Sequence, residues 1–555
     1  MALARKLWTE DTHVDNNIDD ERTALIKRAS HDTGIFNVTA TQDFRWLLKK
    51  GLSIAGTILL HQTMELTNLS MIGHMGAQEL AAVTLANMLL AVMYYCVTGG
   101  ISNSLETLCS QAYTGAKDKT MVGVYFQRVY LVLVMWSMVT GVVLWNGTSI
   151  LEALGQEPEL AAKAGYYLRC IFPSAVAYVT FDAHRKYLQA QGETMASVYI
   201  LLIGAVLNGA LQYFSFNVGM GLSGVPIGIS IAIFFMLGAQ LFYASFIRKT
   251  NINCWGGCSK VNQKEWLRFI KLVMSNLIVI CSEYYVAELS ILAISYLATR
   301  SSNSNHSDND SSILIAAGSV LLRFHLSSHT VAIGLAAASA TRVGHHIGHG
   351  YVQCARLSFH MGCWVSLTLS MPLSVFFWTF RDTLPYLFVT RDNTVVAQLI
   401  STGLPLLASF QLFGMIAGQL SGVLRGLGRQ QVSAFISVIA FYGVTVPLGY
   451  TLIFRYDKNS TTAHDDNYYS SPWFGVNGVW VAFGIGYLIY ALAQLLFLCM
   501  VVDWSAECAK VRQHYSCLAD DAVDEQAQNG DYFSTRKDPV VAATNTSSYS
   551  LLYTK

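Results

Sequence analysis

Two glutamates, Glu283 and Glu288, sit inside the apolar run Asn276–Leu297, NLIVICSEYYVAELSILAISYL, with Tyr284 and Tyr285 between them. The run is long enough to cross a bilayer. A carboxylate at the centre of a membrane helix costs roughly 2.5–3.5 kcal/mol on insertion scales. Groups that expensive face the inside of a helical bundle, where their usual work is to carry an ion or a substrate. A buried carboxyl can be anionic in one state and neutral in another, so it can hold a cation and release it on protonation. The bland alternative is a hydrogen-bonded glutamate that locks helix packing. The five-residue spacing separates the pair by about 140° on an ideal helix. One should therefore face a cavity and the other a neighbouring helix, and the spacing does not say which. Tyr284 and Tyr285 either add cation–π contacts of about 0.5–2 kcal/mol or serve as ordinary packing.

The rest of the chain supplies elements able to position such groups. Of its 555 residues 53% are hydrophobic and only 13% charged, with mean hydropathy +0.39. Soluble domains carry about 25% charge, so this is a polytopic membrane protein. Its long unbroken apolar runs predict helices rather than the short alternating strands of a barrel. A net charge of +1 gives no nucleic-acid signal. Cys96, Cys109, Cys170, Cys281, Cys363 and Cys499 lie singly in apolar runs and read as buried free thiols. Cys254 and Cys258 lack a second pair, and His345, His346 and His349 lack an acidic or cysteine companion in the sequence, so no metal site and no cofactor are expected. Residues 1–45 are polar with no signal peptide, and the stretch after Val502 is polar too; both read as mobile flanks.

Twelve runs approach spanning length, near 52–72, 79–101, 123–145, 165–184, 194–215, 222–247, 268–297, 312–336, 357–380, 396–420, 431–454 and 475–501. With both termini cytoplasmic, Lys117, Lys119, Arg185, Lys186, Arg248, Lys249, Arg342, Arg356, Arg425 and Arg429 fall inside, as the positive-inside rule requires. The sequons at Asn146, Asn305, Asn309 and Asn459 then all fall outside, as glycosylation acceptors should. The expected fold class is an all-α polytopic membrane protein with twelve transmembrane helices in two six-helix repeat bundles. The expected organisation is a flank over 1–45, a bundle over 46–248, a linker over 249–266, a bundle over 267–502 and a tail over 503–555. The halves repeat: Leu80–Ala82 matches Ile315–Ala317, Thr107 matches Thr341, Pro158 matches Asn393 and Leu188 matches Leu424, at offsets of 234–236 residues. An even number of spans per repeat gives parallel halves related about the membrane normal.

Several of these stretches resemble the multidrug and toxic compound extrusion (MATE) family, over nearly all of residues 45–502. Gly99–Lys117, GGISNSLETLCSQAYTGAK, is the most specific of them. LGQEPELAAKAGYYLR from Leu154, KYLQAQG from Lys186, WGGCSK from Trp255 and SGVLRGLGRQ from Ser421 follow in the family's order. SEYYVAEL is similar to a Glu-Trp-Trp-Ala-aromatic-Glu element, with tyrosines in place of tryptophans. The resemblance implies two six-helix bundles in a V around a central cavity. It further implies antiport of organic cations, drugs or metabolites against H⁺, or alternatively Na⁺, with Glu283 and Glu288 carrying the coupling role. A flippase of lipid-linked substrates is the other reading of this architecture. An enzyme is not expected. The expected setting is a monomer in the plasma membrane or a vacuolar or vesicular membrane.

Two departures bear on the site. The tenth span of many eukaryotic members carries an acid where this chain has Gly414, and the first span carries an unusual acid, Glu65, beside His61 and Gln62. Arg323 and His325 in the eighth span are also out of place, and an ion pair between Glu65 and Arg323 is the expected way to accommodate both charges. Glu106, Gln111 and Tyr113 read as helix-end packing first and gating second. Asp182, His184, Arg185 and Lys186 read as solvated or locally ion-paired.

Overall fold

Backbone groups in a bilayer find no water and must close their hydrogen bonds within the segment, so each long apolar run becomes a helix. The computed structural model describes residues 39–248, 254–255, 263–302, 308–388, 394–454 and 476–528. Twelve membrane helices follow in order. The first six are α1 Ala40–Gly73, α2 Gln78–Gly115, α3 Met121–Trp145, α4 Pro158–Ala190, α5 Met195–Asn217 and α6 Gly221–Ile247. The second six are α7 Gln263–Ser302, α8 Asp308–His349, α9 Val352–Thr379, α10 Thr394–Gly426, α11 Gln430–Ile453 and α12 Val476–Met500. Ten of them are apolar enough to span by composition alone. The other two, α1 and α4, have the length, but His61, Gln62 and Glu65 in one and Asp182, Arg185 and Lys186 in the other lower their hydropathy.

The repeat is visible in the helices themselves. Both α4 and α10 have 33 residues, and α10 starts and ends 236 positions after α4 (394 − 158 and 426 − 190). One buried core gathers around Tyr94, Leu105, Leu168 and Phe181 and reaches Val343, Leu420 and Leu424 of the second half; another lies within the second half around Leu321, Leu404, Phe441 and Trp480.

The halves meet most closely at the face where α1 and α7 begin and where α2, α4, α8 and α10 end. Gly334 of α8 lies so close to Gly51 and Ala55 of α1 that a Cβ there would come 2.6 Å from the Gly51 carbonyl oxygen. Gly344 and Gly348 of α8 are seated in the same way on Ser110 and Thr114 of α2. Two buried ion pairs cross this seam: Asp43–Arg342 at 2.7 Å and Glu106–Arg425 at 3.2 Å. The Arg342 guanidinium also lies 4.8 Å from the Trp46 ring centroid. Gln111 Nε2 donates to Gly426 O at 2.8 Å, and Gln189 Nε2 to Thr341 Oγ1 at 3.2 Å. The opposite half of α2, Ala77–Leu90, packs chiefly on α1 and α4 of its own bundle. The cleft between the bundles is therefore closed at the seam, and toward the other face this half of α2 keeps to its own bundle.

The polar ends are more ordered than their composition suggests. At Thr39 a capping box with Gln42 starts α1. After Val502 the chain forms a further helix, α13 Trp504–Gln528, where the sequence reading expects a mobile flank. Asp503 caps it, accepting from Ser505 N at 3.0 Å and from Ser505 Oγ at 2.6 Å, and the serine hydroxyl does most to hold this carboxyl below its usual range. Trp504, Cys508, Val511 and Tyr515 are buried on one face of α13, with Tyr515 against Gly115 of α2. Glu507 accepts from Arg429 at 2.6 Å, so α13 ties the end of α2 to the turn before α11.

One contact of the seam is directly testable. Cys96 of α2 and Cys281 of α7 bring their sulfurs to 3.4 Å. Diamide treatment of the reconstituted protein should oxidise this pair to a disulfide, the two thiols giving two electrons and two protons to the reagent. Substrate uptake should then stop and return with dithiothreitol, while Cys96→Ser and Cys281→Ser stay insensitive. Continued uptake with the cross-link formed would show that the two helices need not separate here.

Candidate functional site

The carboxylate of Glu283 points into the second bundle. Tyr487 of α12 donates its hydroxyl to Glu283 Oε1 at 2.6 Å, and His329 Nε2 of α8 lies 3.1 Å from the same oxygen. A second histidine, His325, stands one turn back along α8 with Nε2 3.4 Å from Tyr487 Oη. The rings of Phe410, Trp480, Phe483 and Tyr487 surround it at centroid distances of 5.7–6.3 Å. Gly414 of α10 abuts this cluster: a Cβ there would lie 3.9 Å from the Tyr487 ring. The position without an acid thus belongs to the Glu283 site, and a phenol ring lies against it. The helices are held in register by Ser282 Oγ, which donates to Ser437 Oγ at 3.0 Å, and by Ser328 Oγ, which donates to Gln411 Oε1 at 2.8 Å. One carboxylate oxygen of Glu283 is thus held by the Tyr487 hydroxyl, with the His329 ring standing against the same oxygen.

Glu288 lies in a different setting. Its neighbours are the Tyr284 hydroxyl and, electrostatically, Arg323 of α8. Glu65 is on the other wall of the cleft, half exposed, with its carboxylate 3.8 Å from His61 Nδ1. Among the described residues no ion pair joins Glu65 to Arg323. The expected pairing of those two is not formed: Glu65 has His61 one turn back on α1, and Arg323 acts electrostatically on Glu288 of α7. The His61 ring stacks on Tyr178 at 4.0 Å, and Tyr95 meets Tyr178 edge-on at 5.8 Å. The Glu65 charge acts on Tyr95, Tyr167 and Tyr178, and across the cleft on Tyr284. The wall around Glu65 is thus one carboxylate among aromatic faces. Tyr285 is turned elsewhere. Its hydroxyl donates to Val92 O at 3.2 Å, at the π-helical turn Ala91–Tyr95 of α2, where the ordinary helical hydrogen bonding is interrupted.

The remaining candidates separate into structural groups. Asp182 binds Arg185 at 2.5 Å and Lys186 at 2.9 Å, and Lys186 also donates to Ser102 Oγ and Asn103 Oδ1 at 2.6 Å each. This is a buried ion cluster between α4 and α2. Glu106 belongs to the seam through Arg425. His345, His346 and His349 lie at the end of α8: His345 Nε2 contacts Ala190 O at 2.7 Å, and His346 does have an acidic neighbour, Asp43 at 4.0 Å. Among the described residues no group of three or more His, Cys, Asp or Glu side chains could hold a metal ion. Asn146 is exposed at the end of α3, its amide donating to Val142 O at 2.9 Å. Asn305 and Asn459 lie outside the described residues, as does the side chain of Asn309 and most of the 249–266 linker.

The sequence reading singles out neither His329 nor Tyr487. The histidines carry a usable signal, since His325 and His329 are four apart in an apolar helix and so share one face. Tyr487 carries none, being one of two tyrosines in its span.

The MatE family model matches residues 53–214 and 305–451, more than half the chain and parts of both bundles. The chain belongs to the MATE family. It is 30% identical over 449 residues to an uncharacterized transporter of Schizosaccharomyces pombe, covering 80% of this chain and 77% of that one. To the mouse multidrug and toxin extrusion protein 2 it is 27% identical over 468 residues, covering 83% and 76%. The solved eukaryotic MATE transporter AtDTX14 shares the fold, with TM-score 0.70 and 23% identity, over 86% of this chain and 99% of that one. This MATE protein is accordingly a transporter and not an enzyme, an integral membrane protein with many spans.

Proposed function

We propose that this MATE transporter exports organic cations or amphipathic metabolites in exchange for protons by alternating access of its two bundles. The observation that carries the reading is Glu283 Oε1 with its two partners, Tyr487 and His329, inside the second bundle. With the termini cytoplasmic, the cleft opens outward and the seam is the closed inner gate. Glu65 and its tyrosines, together with Tyr284, form the cation-contacting walls. A unit negative charge lost at about 8 Å from a bound cation removes roughly 2 kcal/mol of attraction at an effective dielectric near 20. That weakens binding by roughly thirtyfold, enough to release substrate when a proton arrives from outside. Phenol and imidazole beside Glu283 fit a proton better than Na⁺, since hard cations are bound by shells of oxygen ligands. Arg323, the cation that would favour a lipid-linked anionic substrate, has Glu288 alongside.

Vesicles carrying the purified protein, acidic inside and loaded with a pH-sensitive dye, provide the test. Adding ethidium outside should raise the luminal pH as the dye cation enters. Ethidium entry without proton movement would rule out proton exchange.

A further inference from the structure

We propose that the exchanged proton is held jointly by Glu283 and His329, and that it enters on the imidazole rather than on the carboxyl. The inference rests on the proton-exchange reading and names the group that titrates within it. His329 Nε2 lies 3.1 Å from Glu283 Oε1, an oxygen that already accepts from Tyr487. Facing an anionic acceptor, Nε2 carries the hydrogen, and Nδ1 is the basic nitrogen. A proton arriving from the open cleft bonds to the Nδ1 lone pair and turns the site from carboxylate plus neutral imidazole into carboxylate plus imidazolium. Net charge rises from −1 to 0, while the Tyr487 hydrogen bond to Oε1 remains and the imidazolium faces the same oxygen as an ion pair. A proton on Glu283 itself gives the same charge but leaves a neutral acceptor, to which the Tyr487 hydroxyl binds about half as strongly, and it abolishes the ion pair.

The surroundings support this division of labour. From α7 the pair is flanked by Tyr284 and Glu288 one turn on, and from α8 by Arg323 and His325. The α12 groups acting on Glu283 are Tyr487 and Tyr490. Helix α10 presents Phe410, Gln411 and Gly414 to this region, and α11 presents Ser437 and Phe441, none of which titrates. From α1, Gln62 reaches Thr330 beside His329 at 3.0 Å. Besides the Tyr487 phenol, the titratable group against Glu283 is therefore an imidazole of α8. His325 is 3% exposed inside its aromatic cage and touches Glu283 only through Tyr487, so it is a positioning residue.

The test compares wild type with His329→Gln, whose amide keeps a donor but takes no proton. The readouts are initial rates of proton-driven ethidium uptake across pH 5–9 and equilibrium ethidium binding at alkaline pH. An ordinary imidazole titrates near 6.5 and an ordinary glutamate near 4.3. Since a carboxyl is the stronger acid, the midpoint should move to lower pH by roughly a unit or more as it takes over, with ethidium binding within about threefold of wild type. His329→Asn provides the same readout where the Gln variant fails to fold. An unchanged midpoint in the folded variant, with or without a fall in rate, overturns the inference. Wild-type uptake blind to a proton gradient overturns the proton reading itself, and this inference with it.

Discussion

Replacing Glu283 with Gln should abolish proton-driven uptake, by about a hundredfold or more, in a protein that still folds. A hundredfold corresponds to about 2.7 kcal/mol, close to the roughly 2 kcal/mol assigned above to the charge alone, with the loss of exchange itself added. The amide is nearly isosteric, and its oxygen can still accept from Tyr487, so packing among α7, α8 and α12 survives. It loses the charge that holds the cation and the carboxylate that pairs with His329. Glu288→Gln should cost less, since Glu288 shares its field with Arg323 and stands apart from the Tyr487 cluster. Uptake rates and thermal melting on the same preparations check both. A Glu283→Gln protein keeping a third of its proton-driven rate would remove Glu283 from the mechanism.

The second large effect belongs to the seam. Asp43 is fully buried and Arg342 nearly so, and their pair joins α1 of one bundle to α8 of the other. Arg342→Met leaves a carboxylate buried without its guanidinium, which costs about 3–5 kcal/mol. The arrangement closed at the seam should lose its dominance, because a shift of about 5.5 kcal/mol suffices to invert a 99:1 population. Transport should fall sharply, and the melting temperature should drop with it. Replacing both partners, Asp43→Leu with Arg342→Met, should recover most of the lost stability, because an apolar pair of similar volume carries no desolvation penalty. Thermal unfolding of the single and double variants measures this. A double variant no more stable than the single would mean that the seam depends on these two side chains in some other way.

The large features were legible because they are local or repeated. Apolar runs predict helices, and the offset between halves reappears in the matched ends of α4 and α10. Glu283 stands out because a carboxylate in an apolar run is rare and costly. Its partners were not legible: Tyr487 is 204 positions away, and no local pattern says which of the tyrosines in α12 turns toward α7. The Glu65–Arg323 pairing failed for the opposite reason. Two unpaired charges in two spans invite a match, but His61 lies one turn from Glu65, and the Arg323 charge acts on Glu288. The α13 helix was legible in principle, since Trp504, Cys508, Val511 and Tyr515 follow helical spacing, but the polarity of the tail outweighed that pattern. Likewise α1 and α4 fall below the other spans in hydropathy because they carry charged and polar side chains, which in α4 folding buries as the Asp182 cluster.

Initial uptake of ethidium into proteoliposomes under imposed gradients tests the central claim most directly. Wild-type protein should concentrate ethidium when the lumen is acidic, lose the effect when a protonophore collapses the gradient, and ignore a Na⁺ gradient of equal size. Uptake driven by Na⁺ alone, or indifferent to both gradients, would contradict the account.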